Sequence, residues 1–343
     1  MISIPLTNQV NFYSKQLSGD FLRLYNASVE NLARGILKTS VTFNSEINEE
    51  AQSRINSTLE GVFCGCPELF YVNQSPAISF SGNECTVEFT NKYENENVMS
   101  LWNKLDAEIN RIVAIIRAIP KPFDQIHRLN QYLCARVKPR TESAQRFGDA
   151  YGALILKEAR CEGYAKAAKL ILNRLGIESI IACGNARNGN SVVAHTWNII
   201  AYNNNYYHFD FTWNACNYRY GIPGQEYMFL DDELAGKEHF KKYNYPHCSD
   251  ATKTFWARNN GFVKYHSDLC RIKVVPFKNN YLAIASLETP PTDEDLERNI
   301  HSWMRDELAG YNYATSLSYS YNERLNLLLF YFINNGSLSN VGV

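Results

Sequence analysis

The stretch Arg160-Cys161-Glu162-Gly163-Tyr164-Ala165, in the middle of the chain, opens a helix on which the reading of the fold turns. Apolar residues recur at Ala165, Ala168, Ile171, Leu172 and Leu175, a spacing of three and four that makes one buried helical face. Gly176 stands in the C-cap position, and a new apolar run starts at Ile177. This places Cys161 at or beside the first turn, where unpaired backbone N–H groups and the positive end of the helix dipole favour a thiolate. Thiolate is the nucleophilic form, so a cysteine enzyme would hold its nucleophile there. Free cysteine is also a common packing residue, and what separates the two roles lies downstream.

Downstream, Glu178 to Gly184 reads as a buried strand, and Val192 to Tyr202 and Tyr206 to Trp213 as two more, joined by Asn203-Asn204-Asn205. The first of this pair carries His195 in Ala194-His195-Thr196-Trp197-Asn198. The second carries Asp210 in His208-Phe209-Asp210-Phe211-Thr212-Trp213. With a two-residue turn at Asn203-Asn204, Tyr202 pairs with Asn205, Trp197 faces Asp210, and His195 faces Thr212. His195 and Asp210 then become diagonal neighbours on one face. A three-residue turn would put them on opposite faces, but asparagine tolerates the positive φ that the shorter turn demands.

A Cys161, His195, Asp210 set divides the labour of acyl transfer. The cysteine attacks a carbonyl carbon, the histidine takes the thiol proton and later protonates the leaving amine, and the aspartate fixes the imidazole tautomer. The Cys161 backbone N–H would be one oxyanion donor, with Tyr151 a candidate for the second. Trp197 and Trp213 are candidates for the walls of the pocket, or equally for ordinary core.

These motifs carry a resemblance. Tyr151-Gly152-Ala153-Leu154, Cys161-Glu162-Gly163-Tyr164-Ala165, His195-Thr196-Trp197-Asn198 and Tyr207-His208-Phe209-Asp210-Phe211-Thr212-Trp213 are similar to the bacterial transglutaminase-like family. Glu226-Tyr227-Met228-Phe229-Leu230, followed by acidic residues and His239, resembles the segment after that family's aspartate. The similarity is strongest over about 120–250 and looser at Pro67-Glu68-Leu69-Phe70-Tyr71 and Gln131-Tyr132-Leu133. It implies an α+β, papain-like core in which a helix bearing the cysteine packs on an antiparallel sheet bearing the histidine and aspartate. It also implies a cysteine peptidase, amidase or acyltransferase working through a thioester. All three catalytic positions hold the expected residue types. Thr196 stands where many members have a small residue such as alanine, which would reshape the pocket slightly. Hydrolysis is expected ahead of cross-linking, and the alternative is a catalytically silent binding or scaffold protein on the same fold.

Composition bounds the rest. The chain has 343 residues, 45% hydrophobic and 20% charged, with a formal net charge of −1, which gives no electrostatic reason to expect a nucleic-acid or membrane-surface partner. A protein or peptide substrate is the expected partner. The N-terminal residues lack the pattern of a signal peptide, and no apolar run approaches the ~20 residues that span a bilayer, so the expected location is cytoplasmic. Nine cysteines, an odd number without a regular frame, fit reduced thiols. Cys64-Gly65-Cys66 has the wrong spacing for zinc and reads as structural. No DxDxDG-type calcium loop is present, and neither a metal nor a cofactor is expected.

The expected organisation is an N-terminal α+β region over 1–118, a catalytic core over 119–250, and a small C-terminal α+β lobe over 251–343. Helices are expected over 18–38, 45–62, 98–119, 123–138 and near 231–242, with strand-like runs at 77–80 and 85–89. In the tail, strand-like runs precede a helix over 293–308, and an alternating hairpin over 311–333 ends the chain.

Overall fold

In the computed structural model the described residues are 2–7, 11–142, 144–219, 224–259, 261–263, 275–277, 280–288, 291–292, 294, 314–322 and 325–334. The N-terminal part begins with α1 (Phe12–Lys15) and α2 (Gly19–Ala33), followed by β1 (Lys38–Thr42), α3 (Glu49–Gly65), β2 (Ala77–Ser81) and β3 (Glu84–Glu88). The expected helix over 18–38 is therefore shorter. Gly35, at φ +78°, turns the chain after α2, and Lys38–Thr42 pairs antiparallel with β3 instead. Cys85 and Val87 point inward from β3 while Glu84 and Glu88 face out, the alternation of a half-buried strand.

Two long helices follow, α4 (Val98–Arg117) and α5 (Pro122–Arg136). Asn97 caps α4 by accepting the Ser100 N–H at 3.0 Å, and Pro122 starts α5, where its missing N–H costs nothing. A short parallel pair, β4 (Lys138–Pro139) and β5 (Glu158–Ala159), then leads into α6 (Cys161–Leu175), with a 3₁₀ turn at Gln145–Gly148 and a π-helical turn at Gly152–Leu156 between them. The Gly176 C-cap of α6 is left-handed, as the sequence predicts. Gly163 shows why the motif holds a glycine after Glu162. A Cβ there would lie 2.5 Å from the Phe147 carbonyl oxygen and 3.0 Å from that of Asp149, so a loop backbone runs directly over the first turn.

The central antiparallel sheet has the order β10-β6-β7-β8-β9, formed by β6 (Ser179–Asn188), β7 (Ser191–Tyr202), β8 (Asn205–Phe209), β9 (Met228–Leu230) and β10 (His239–Lys241). Helix α7 (Phe211–Arg219) separates β8 from β9, and α8 (Asp232–Gly236) separates β9 from β10. Helix α6 packs on β7 and β6. The turn is the two-residue one: Tyr202 pairs with Asn205, with Asn203 at φ +51° and Asn204 at +60°. Two expectations fail here. The strand expected to reach Trp213 stops at Phe209, because Asp210 caps a helix. The helix expected over 231–242 ends at Gly236, and residues 239–241 become an edge strand on β6.

The tail contributes α9 (Phe255–Arg258) and the strands β11 (Phe262–Val263), β12 (Val275–Phe277), β13 (Asn280–Leu287), β14 (Ala314–Asn322) and β15 (Leu327–Asn334). β14 and β15 form the expected antiparallel hairpin, while the helix expected over 293–308 lies outside the described residues. The architecture is α+β around an antiparallel sheet. One buried cluster runs without interruption from Ile4 to Cys248, joining the N-terminal helices to the central sheet. A second gathers Tyr227, Leu230, Phe255, Trp256, Leu325 and Leu327, where the tail meets the sheet. Among the described residues no helix is long and apolar enough to cross a membrane.

Candidate active site

Cys161 is the first residue of α6. Arg160, at the N-cap, has extended backbone and gives no side-chain cap, so the first-turn N–H groups are not spent on it. Cys161 is half-buried and lines a cleft of about 710 Å³ together with Glu60, Cys64, Cys183, His195 and Phe240. The cleft thus sits between the start of α6, the last turns of α3 and the sheet. Its N-terminal wall, including Gln74 beside Glu162, carries no local sequence signal of its own; only the tertiary fold brings it here.

His195 is buried on β7, with the Cys161 side chain near enough on one side to favour its protonated form. On the other, its Nε2 lies 2.6 Å from Asp210 Oδ2. Asn198, three residues along β7, donates from Nδ2 to the Ala165 carbonyl of α6 at 3.1 Å, strapping the histidine strand to the cysteine helix. The imidazole lies near-parallel to Trp197 at 6.1 Å and tilted against Trp213 at 5.2 Å. Both tryptophans therefore stand against His195. Tyr151 does not reach the cleft: it stacks on Phe70 at 5.7 Å and meets Tyr93 edge-on, inside an aromatic cluster.

Asp210 does two jobs at once. Its Oδ1 accepts the N–H groups of Thr212 and Trp213 at 2.9 and 3.0 Å, capping α7. Its Oδ2 takes both His195 and His239, the latter at 3.0 Å from Nε2. The register extrapolates Trp197 opposite Asp210, as expected, but the two catalytic candidates meet at the strand's end and not as ladder diagonals. Sequence reasoning named His239 only inside the resembling segment and gave it no role. The available signal was the helix-start character of Asp210-Phe211-Thr212-Trp213, which turns one carboxylate oxygen away to the helix and leaves the other to be shared.

The electrostatics follow from this packing. Burial works against a charged His195, but the charge and hydrogen bond of Asp210, with the Cys161 sulfur, overcome it and push the imidazole up to about 10. Burial likewise opposes ionised Asp210, yet His195 and His239 hold it below the usual carboxylate range. Folded His195 keeps a proton that the unfolded chain loses near ~6.5, so its contribution is complete below that value and is lost as pH rises towards about 10. The Asp210 contribution runs the other way, present above the unfolded carboxylate value and lost as pH falls through the lowered one. We expect the stability advantage of the native chain over His195→Gln, from urea denaturation at constant ionic strength, to shrink steadily between pH 7 and 10. A pH-independent difference would contradict the His195–Asp210 coupling.

A second relay starts at Trp197, beside His195. Trp197 Nε1–H donates to His208 Nδ1 at 2.9 Å, and His208 Nε2 meets Asp232 Oδ1 at 2.8 Å. Burial lowers the His208 pKa despite Asp232, consistent with a neutral ring whose Nδ1 is an acceptor. Two groups have metal-ligating side chains close together: His195, Asp210 and His239, and His208, Asp232 and Cys248. Neither fits an ion well. In the second, a cation on His208 Nε2 would require a proton on Nδ1, pointed at the Trp197 N–H. In the first, both Nε2 atoms already meet the same Asp210 oxygen.

Residues 110–211, which hold Cys161, His195 and Asp210, match the family model of the transglutaminase-like superfamily. Over these residues the chain is similar to a transglutaminase-like core. No curated protein matches it. Among solved structures, a TGase is 14% identical over 51% of this chain and 50% of its own, with a TM-score of 0.28. A protein of Cytophaga hutchinsonii, provisionally named a cysteine protease, is 14% identical over 41% of this chain and 63% of its own, with a TM-score of 0.26. The chain thus spans about half of the first and less than two thirds of the second, and at these scores neither bears on activity. The match ends one residue after Asp210, so His239 lies beyond it.

Proposed function

We propose that the chain is a cysteine-dependent acyl-transfer enzyme acting on peptide or amide bonds, with hydrolysis ahead of cross-linking. The observation that carries this reading is the line Cys161–His195–Asp210 opening onto a cleft. Members of the transglutaminase-like superfamily are usually cysteine-dependent enzymes, which supports the class of reaction.

In this reading Cys161 Sγ attacks the substrate carbonyl carbon while His195 holds the thiol proton. The tetrahedral oxyanion meets the Cys161 backbone N–H at the uncapped start of α6. His195 then protonates the departing amine, leaving a thioester. Water enters, gives its proton to His195 and releases the acid, or an amine takes its place and a new amide forms. Asp210 orients the imidazole throughout and stabilises the imidazolium each time it forms, and His239 contacts Asp210. The polar wall of Glu60, Arg160 and Glu162 leaves room for water as the acceptor. The partner is a protein or peptide chain.

The test is the rate at which iodoacetamide labels each cysteine, followed by peptide mass spectrometry across pH. Cys161 is expected to label much faster than the other cysteines and to keep that lead under mildly acidic conditions. His195→Ala should abolish the lead. Labelling of Cys161 no faster than the rest would favour a catalytically silent binding or scaffold protein on the same fold.

A further inference from the structure

The cleft holds two more sulfurs that the proposed reaction does not use. Cys64 lies in the last turn of α3 and Cys183 in the middle of β6, and their Sγ atoms are 3.2 Å apart. Both are nearly buried, at 5% and 8% exposure, and what they do expose faces the cleft shared with Cys161. Among the described residues no other two sulfurs are in hydrogen-bonding contact. A disulfide needs about 2.05 Å between sulfurs, so roughly 1 Å of closure separates this pair from a covalent bond.

The surroundings hold Cys183 in place. Its N–H donates to the Tyr245 hydroxyl at 2.8 Å, and Tyr245 in turn meets the Tyr13 hydroxyl at 3.1 Å. Tyr13 anchors to the Ile181 carbonyl at 2.5 Å, two residues earlier on the same strand. Cys64 is carried by α3, whose Glu60 forms an ion pair with Lys242 at 2.5 Å from the opposite wall of the cleft. The two sulfurs therefore belong to two elements, α3 and β6, and face each other across their seam. Cys66, two residues further on, contacts the buried Tyr25 hydroxyl and does not join them.

We propose that Cys64 and Cys183 are a redox-active dithiol in the cleft wall, which closes to a disulfide on exchange with a low-molecular-weight disulfide such as oxidised glutathione. One of the two thiols loses its proton, and its thiolate displaces one glutathione thiolate and forms a mixed disulfide. The other then gives up its proton and attacks the protein sulfur of that mixed disulfide, expelling the second glutathione. Two protein thiols lose two electrons and two protons, and one oxidised glutathione becomes two reduced molecules. The bond ties α3 to β6 across a sequence separation of 119 residues and removes much freedom from the unfolded chain. It fixes the spacing of one wall of the cleft without consuming Cys161.

The full-length native chain is incubated with oxidised glutathione or with dithiothreitol, quenched with N-ethylmaleimide and mapped by non-reducing peptide mass spectrometry. The expected product is a peptide pair joined through Cys64 and Cys183, two hydrogens lighter than the free peptides, with Cys161 still open to alkylation. The melting temperature should rise by several degrees and return on reduction. Cys64→Ser and Cys183→Ser should each remove both changes, and the map of the unsubstituted chain decides the matter even if a variant folds poorly. Separate alkylation of both cysteines after oxidation, a stable glutathione adduct on either, or a bond from either to Cys161 would overturn the proposal. None of these readings depends on turnover.

Discussion

Cys161→Ala is expected to lower amide turnover at least about a thousandfold while leaving the fold intact. The size follows from the role: without a nucleophile only cleft binding and oxyanion contacts remain, and triad members act as a unit, so losing one costs about as much as losing all. The small structural cost follows from the position. Cys161 is half-buried at a cleft surface, its backbone stays in α6, and the sulfur's partner is a histidine still held by Asp210. Release of amine from a peptide panel, beside a thermal melt of the same preparation, tests both halves. Full activity in the alanine variant would remove Cys161 from the mechanism, and a collapsed melt would recast it as a packing residue.

Asp210→Ala is expected to be severe in both respects. Four hydrogen bonds converge on this buried carboxylate: two from the α7 backbone and two from imidazoles. Removing a partner from a buried charged network typically costs about 3–5 kcal/mol, to which the lost cap adds about 1 kcal/mol. Activity should fall by roughly 10⁴-fold, as His195 loses both its orientation and its counter-charge. Asp210→Asn separates the effects, since the amide oxygen can still cap α7 while its NH₂ opposes an imidazole N–H. Recovery of much of the melting temperature with no recovery of turnover is the expected pattern. A variant with near-native turnover would show that Asp210 serves the fold alone.

The same carboxylate marks where the sequence was legible and where it was not. The α6 start and Gly176 stop could be read because helix periodicity and capping are local. The Asn203-Asn204 turn could be read because its positive φ values restrict the residue types. The strand beyond Phe209 was misread because Phe211, Thr212 and Trp213 have strand-like propensities, and a helix cap from Asp210 outweighs them. His239 stayed unassigned because its strand lies at the far edge of the sheet, 29 residues from the aspartate it contacts. Glu60, Cys64 and Gln74 were invisible as site residues for the same reason: nothing near them in sequence points towards α6.

The buried cluster from Ile4 to Cys248 has a practical meaning for anyone handling this protein. A fragment cut to the family-matched span of 110–211 would keep all three proposed catalytic side chains and lose α3, which carries one wall of their cleft, and β10, which carries His239. It would also bare the apolar faces that α2, α3 and α4 now cover, inviting aggregation. Excision would thus yield a sticky, half-walled remnant, and a unit worth expressing keeps both the first helices and the tail residues that cover Tyr227 and Leu230.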